Sequence, residues 1–160
     1  MKLVQALDAL GESPSSAFDR RMQNRLVMTI LVGHMLVEEQ LDKLISTTLQ
    51  KPKALDDMQL TFAQKARLGA SFSSSWDFGG DLLHGLEALD NLKRRLPFVA
   101  DSNEFGTEVA RVIACNAGDA FPQVAVQEDL ARSFRFTLTA ICGALRDAAA
   151  SSRLSIPQTR

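Results

Sequence analysis

The sequence predicts an all-α fold: a single-domain helical bundle of five to seven helices around a long central helix. Apolar residues recur at three- and four-residue spacing over several long stretches, which is the period of an amphipathic helix. Gly, Pro and capping residues separate these stretches, and no alternating apolar pattern bounded by turn signals predicts a strand. The chain has 160 residues, of which 46% are hydrophobic and 23% charged, so it can bury the core of one ordered domain.

The central helix is expected at residues 16–49, with a start at Ser13-Pro14 or at Ser16. One apolar stripe along it consists of Leu26, Ile30, Val37, Leu41, Leu44 and Thr48. A second, adjacent stripe consists of Val27, Leu31, His34, Glu38, Leu41 and Ile45. Two adjacent stripes predict a helix that is buried on most of its circumference. Gly33, which lies within this apolar stretch, predicts that a neighbouring helix approaches closely.

Two short helices are predicted on either side of the central one. The first lies at residues 3–10, before the central helix. The second begins at a capping box, in which the side chains of Thr61 and Gln64 each bind the backbone amide of the other residue. Its inward residues are expected to be Phe62, Ala66 and Leu68. A loop rich in Ser and Gly follows at residues 71–80.

Three further helices are predicted in the second half of the chain. The helix at residues 81–97 turns one side inward through Leu82, Leu86, Leu89, Leu92 and Leu96. Pro97 is expected to end or kink it near Leu96. Another helix is predicted to start at Asp101-Ser102-Asn103-Glu104, whose two acidic residues would lie in its first turn, and to stop near residues 116–119. The last is expected at residues 124–150, followed by a frayed tail at 151–160. Its inward stripe consists of Leu130, Phe134, Thr137, Leu138, Ile141 and Leu145.

Charge and cysteine content limit the classes of function. The formal net charge of −1 gives no overall attraction to nucleic acid or to an anionic membrane. Cys115 and Cys142 lie in apolar helical contexts and are predicted to be buried free thiols, which fits a reducing cytoplasm. The N-terminal segment lacks the pattern of a signal peptide, and the apolar run at residues 26–37 is too short to span a bilayer. These features predict a cytoplasmic protein with no membrane contact.

Three local patterns resemble one group of proteins. They are Val37-Glu38-Glu39-Gln40-Leu41 followed by Leu44-Ile45, then Leu60-Thr61-Phe62-Ala63-Gln64-Lys65, and then Leu89-Asp90-Asn91-Leu92-Lys93-Arg94-Arg95-Leu96-Pro97-Phe98. Their order and spacing resemble the bacterial mannitol operon repressor family and, more widely, the all-helical HEPN superfamily, over about residues 26–98. The resemblance implies a helical bundle and a regulator without a DNA-reading motif of its own. No helix-turn-helix signature is present in this sequence either.

The same resemblance includes one departure that bears on catalysis. HEPN ribonucleases use an arginine, a polar residue and, a few positions on, a histidine. In this chain the matching positions hold Lys93, Arg94 and Phe98. Phenylalanine cannot exchange a proton, whereas the near-neutral pKa of histidine suits general acid–base chemistry. The departure therefore favours a protein that is not an enzyme.

Glu38, Lys93, Arg94 and Arg95 form the candidate polar and basic cluster. The basic residues could bind phosphate groups, or they could complement the dipole at the end of their helix. Glu38 lies on the inward side of the central helix, one turn after His34. It could be a functional group, or it could make an internal contact with Lys93 or Arg94 that fixes the register of the helices.

Other candidates are isolated. His34 and Glu38 supply two potential metal ligands and no third is evident, so no metal site and no cofactor are predicted. His84 is interpreted as a surface or capped imidazole, with a pH-sensitive contact as the alternative. Trp76 is the candidate residue for an interaction loop, because tryptophan is common at interface hot spots; equally, it could plug the protein's own core.

The functional hypothesis is a non-enzymatic regulatory or protein-interaction protein of the mannitol-repressor and HEPN-like kind. It is expected to be cytoplasmic, to form a homodimer and to act through a protein partner. One alternative is a divergent ribonuclease or toxin that uses Lys93, Arg94 and either His34 or His84. Another is a nucleic-acid-binding module built on Lys93, Arg94 and Arg95.

Overall fold

Five α-helices make up the part of the chain that the computed structural model describes, which is residues 14–49, 58–72, 81–117 and 127–154. They are α1 (Pro14–Thr48), α2 (Phe62–Ser71), α3 (Asp81–Val99), α4 (Phe105–Ala117) and α5 (Gln127–Leu154). No strand occurs among these residues, so the all-α prediction is confirmed. The helix predicted at residues 3–10 lies outside the described residues. No described helix is long and apolar enough to cross a bilayer.

The helices pack around α1. Its most extensive contact is with α5, and α2 lies between α1 and α3. α4 packs against α3 on one side and α5 on the other. The most deeply buried side chains are Ile30, Val37, Leu41, Leu86, Leu89, Val109, Phe134 and Leu145. Every residue of the inward stripe predicted for the last helix is buried, so that prediction is confirmed.

The contact between α1 and α5 is close at Gly33. A Cβ built on Gly33 would lie 2.9 Å from Cδ2 of Leu138, shorter than van der Waals contact allows. The close approach predicted from this glycine is therefore confirmed, and α5 is the helix that makes it. Gly33 thus allows the two longest described helices to pack side by side.

The prediction that α1 is buried on most of its circumference is wrong. Its first stripe is buried as expected except for Thr48, which is half-buried, but Leu31 of the second stripe lies at the edge of a third side that is open to solvent. That side presents large apolar residues with exposed fractions between 37% and 68%, namely Met28, Leu31, Val32, Met35 and Leu36. The neighbouring helices α2, α3 and α5 cover two sides of α1 and leave this one uncovered.

The predicted capping box at the start of α2 is confirmed. The backbone amide of Gln64 donates to the Thr61 hydroxyl at 3.3 Å, and the Thr61 amide donates to the Gln64 side chain at 2.9 Å. Phe62 and Ala66 are buried as predicted. The prediction for the third inward position is wrong: Gly69 is buried and Leu68 is half-buried. Gly69 lies seven positions after Phe62 and three after Ala66, so it shares their side of the helix.

We expect Thr61→Ala to lower the free energy of unfolding by about 1 kcal/mol, because it leaves a first-turn amide of α2 without its acceptor. Chemical denaturation followed by circular dichroism measures the change. Thr61→Ser keeps the hydroxyl and is the matched control. A loss in the serine variant as large as in the alanine variant would show that the cap does not stabilise the fold.

Pro97 was predicted to end or kink α3 near Leu96. The helix does not end there, because it continues to Val99. Pro97 has no amide to donate to the carbonyl four residues earlier, but only two helical residues follow it. The Ala100 amide still donates to the Leu96 carbonyl at 3.0 Å. The helix therefore carries Phe98 into solvent, where 82% of it is exposed. The last helix also ends later than predicted, at Leu154.

Candidate functional site

Several charged and polar side chains meet where α1, α2 and α3 come together, and we call this cluster the polar junction: His34, Glu38, Lys65 and Asp90. His34 is only 4% exposed, and its Nε2 lies 3.3 Å from Oδ1 of Asp90. A carboxylate can only accept, so Nε2 carries the proton. The imidazole also stacks on Phe62, with ring centroids 4.2 Å apart and an interplanar angle of 30°. The hydrogen bond to Asp90 and the ring contact with Phe62 together fix the orientation of the His34 imidazole.

Burial lowers the pKa of His34 below its ordinary value of 6.5, because desolvation disfavours the charged imidazolium. The hydrogen bond to Asp90 opposes this shift and raises the pKa, and the positive charge of Lys93 lowers it further. Glu38 opposes the shift weakly. The net result is an uncharged imidazole at neutral pH, which suits an internal contact.

The lowered pKa of His34 predicts a loss of stability in acid. Below pH 6.5 the unfolded chain protonates His34 before the folded chain does, so stability falls as the pH drops from about 6.5 through the folded pKa. The slope that His34 contributes is at most about 1.4 kcal/mol per pH unit. Denaturant melts between pH 7.5 and 5 should show it in the wild type and less of it in His34→Gln. Equal slopes in the two proteins would contradict this account.

The partner of Glu38 is Lys65 on α2, so the contact predicted with Lys93 or Arg94 is wrong. Lys65 Nζ lies 2.8 Å from Oε1 of Glu38 and 2.9 Å from Oδ1 of Asp42. Burial opposes the charge on Lys65, but its two hydrogen bonds to these carboxylates outweigh burial and raise its pKa. The three side chains form an ion-pair network that joins α2 to α1.

The basic residues of α3 are largely occupied by carboxylates. Arg94 Nε lies 3.3 Å from Oδ2 of Asp90, and Arg95 donates to Oε1 of Glu108 at 2.7 Å. Lys93 is exposed and has no ion-pair partner among the residues described. The cluster predicted from the sequence is therefore divided: Glu38 pairs across α1 and α2, while the arginines pair within α3 or with α4. The paired arginines leave little uncompensated charge for a phosphate backbone.

The remaining sequence candidates are scattered. His84 is exposed on α3, on the surface as interpreted from the sequence. Trp76 lies outside the described residues. Within the described ranges, no group of three or more His, Cys, Asp or Glu residues is arranged to hold a metal ion. Phe98 is exposed at the end of α3.

A feature that the sequence candidates did not include is a groove of about 550 Å³ between α1 and α5. We call it the α1–α5 groove, and its lining residues are Met28, Thr29, Val32, Gly33, Leu36, Arg135, Leu138, Thr139, Cys142 and Arg146. A second depression of about 310 Å³ extends it past Arg25. The floor is mainly apolar. The sequence did contain a signal for this groove, because the apolar residues of α1 are not confined to one side of the helix.

Arginines stand at the ends of this groove. Arg25, Arg135 and Arg146 form no ion pair with the carboxylates of the described residues. Arg135 and Arg146 instead donate through Nε to carbonyls of their own helix, at 3.5 Å and 3.2 Å. Burial raises the pKa of the Cys142 thiol on the groove floor, so it is protonated and unreactive at neutral pH. The groove therefore combines an apolar floor with uncompensated positive charge.

Comparisons with protein-family models, with curated proteins and with solved structures found no match to this chain.

Proposed function

We propose that this chain is a non-enzymatic, cytoplasmic regulatory protein that acts by binding a protein partner on its exposed apolar face. We define the apolar face as Met28, Leu31, Val32, Met35 and Leu36 of α1. This face is the observation that carries the proposal. Five large apolar side chains within nine consecutive positions keep between 37% and 68% of their surface in solvent.

Such a surface is unfavourable for a protein that works alone. A fully exposed apolar side chain forgoes roughly 1.5–3 kcal/mol that burial would contribute, so each of these half-exposed side chains forgoes roughly half of that. Contiguous exposed apolar patches mark sites of protein or membrane interaction, and methionine adapts its shape to a partner surface. Met28 and Met35, at 58% and 68% exposure, supply that adaptable surface here.

The polar junction supports the non-enzymatic part of the proposal. A general acid or base must reach the proton that it transfers. His34 is buried under Phe62 and bonded to Asp90, and Lys65 is held by two carboxylates. These side chains connect α1, α2 and α3, and their geometry favours a structural role. A purified protein that cleaves RNA, with activity lost in His34→Gln, would count against the proposal.

Affinity capture from the host cell tests the proposed function. The baits are the wild type, the double variant Val32→Asp with Leu36→Asp, and the control Phe98→Asp. Val32 and Leu36 are about half exposed, so aspartate there leaves the core intact. Phe98 is an exposed apolar residue outside the groove and matches the chemical change.

We expect one protein to be recovered in stoichiometric amount by the wild type and by Phe98→Asp, and to be lost with the double variant. Recovery of the same protein by all three baits would show that it does not bind to the apolar face. Recovery of RNA or DNA instead, lost on Lys93→Ala with Arg94→Ala and Arg95→Ala, would replace the proposal with a nucleic-acid-binding function.

A further inference from the structure

We propose that the α1–α5 groove binds an amphipathic α-helix of the partner protein, and that this helix carries carboxylates at both ends of its apolar stripe. The inference rests on the proposed function and specifies the chemistry of its partner. It is drawn from the length of the groove, from the apolar surface around it and from the position of its arginines.

The length of the groove fits a short helix. On α5, Arg135 and Arg146 lie about three helical turns apart, which is roughly 16 Å along the axis. On α1, Arg25 and Leu36 are separated by the same distance. A helix of about three turns laid along α1 and α5 would place its residues i, i+3/i+4 and i+7 on the floor between these ends.

The shape of the site favours a helix over a small molecule. The groove is open along its length, and Leu31 and Met35 extend the apolar face beyond the residues that line it. A fatty acid or other slender ligand would fill only part of the width of this open groove. A helix about 10 Å wide, packed on α1 and α5 together, would span that width.

The charges of the groove favour an acidic partner. Arg135 and Arg146 at the rim, and Arg25 in the depression that continues it, lack carboxylate partners among the described residues. Glu39, which is close enough to influence Cys142, is already bound to Lys43 at 2.6 Å. Carboxylates on an incoming helix would complete pairs that the described residues leave unmade.

A second copy of this chain is a poorer occupant of the groove. A two-fold symmetric contact brings the same surface patch of both subunits together. Here it would bring two sets of unpaired arginines onto one apolar interface, where like charges oppose association. The arginines therefore select against self-association through this face.

Two synthetic helical peptides test the inference. Both have leucines at i, i+3, i+4 and i+7, and they differ only in having glutamates or lysines at the two ends. Fluorescence anisotropy measures their binding to the wild type, to Arg135→Glu with Arg146→Glu, and to the control Arg132→Glu. Arg132 is an exposed arginine on the same helix that does not line the groove.

We expect the glutamate peptide to bind the wild type and Arg132→Glu at least about tenfold more tightly than the lysine peptide. The preference should reverse in the double charge-reversal variant. This reversal also guards against misfolding, because an unfolded variant would bind neither peptide. Thermal unfolding followed by circular dichroism confirms that each variant is folded.

Three outcomes overturn the inference. Equal binding of the two peptides would show that the groove does not prefer a helix that carries carboxylates. No binding of either peptide, while the apolar face still captures a partner from the host, would refute the short helix and leave the proposed function standing. A homodimer in sedimentation analysis that Val32→Asp converts to monomer would identify a second copy as the occupant. If the double variant Val32→Asp with Leu36→Asp captured the partner as well as the wild type does, the proposed function itself would be refuted.

Discussion

Replacing Phe134 with alanine is expected to lower the free energy of unfolding by about 3–5 kcal/mol. Phe134 is the largest fully buried side chain of the described core. It lies on α5, which packs against both α1 and α4. The substitution removes buried apolar area and leaves a cavity that rigid helices on two sides cannot close.

Phe136→Ala is the matched control for this prediction. It makes the same chemical change on the same helix two residues later, but 70% of Phe136 is exposed. Its effect should stay within about 0.5 kcal/mol. Urea denaturation with a shared baseline analysis measures both variants. Similar losses in the two would mean that α5 does not present Phe134 to the core.

Replacing Asp90 with alanine is expected to lower the free energy of unfolding by about 1–4 kcal/mol. The carboxylate accepts from His34 at 3.3 Å and pairs with Arg94 at 3.3 Å. Its loss leaves the buried His34 donor without an acceptor, which accounts for about 1–3 kcal/mol. The pair with the exposed Arg94 contributes less, about 0–1 kcal/mol.

Asp90→Asn separates the hydrogen bond from the charge. The amide oxygen can still accept from His34, so we expect this variant to lose about half as much stability as Asp90→Ala, or less. Denaturation at pH 7.5, where His34 is neutral, measures both. If asparagine and alanine were equally destabilising, charge and not hydrogen bonding would hold the polar junction together.

The sequence predicted the inward surface of α5 well, because the spacing of apolar residues indicates which side of a helix is buried. The α5 stripe follows directly from that period. The α2 capping box was equally predictable, because both of its hydrogen bonds join residues three apart. Local chemistry of this kind does not depend on how the helices are arranged.

The polar and exposed features depend on that arrangement and were predicted less well. Glu38 pairs with Lys65, which is 27 positions away in the sequence, and no period encodes such a partner. The apolar face of α1 has the composition of core, and only the placement of α5 and α2 leaves it uncovered. The end of α3 was predicted too early, because the effect of Pro97 depends on how much helix follows it.

The most direct test of the account is the affinity between this protein and its captured partner, both purified, measured by isothermal titration calorimetry. Wild type and the double variant Val32→Asp with Leu36→Asp are compared at equal folded fraction. The account predicts binding at least about 100-fold weaker in the double variant, because charges would be buried in the centre of the interface. Affinities within about twofold of each other would contradict the claim that the apolar face of α1 is the docking surface.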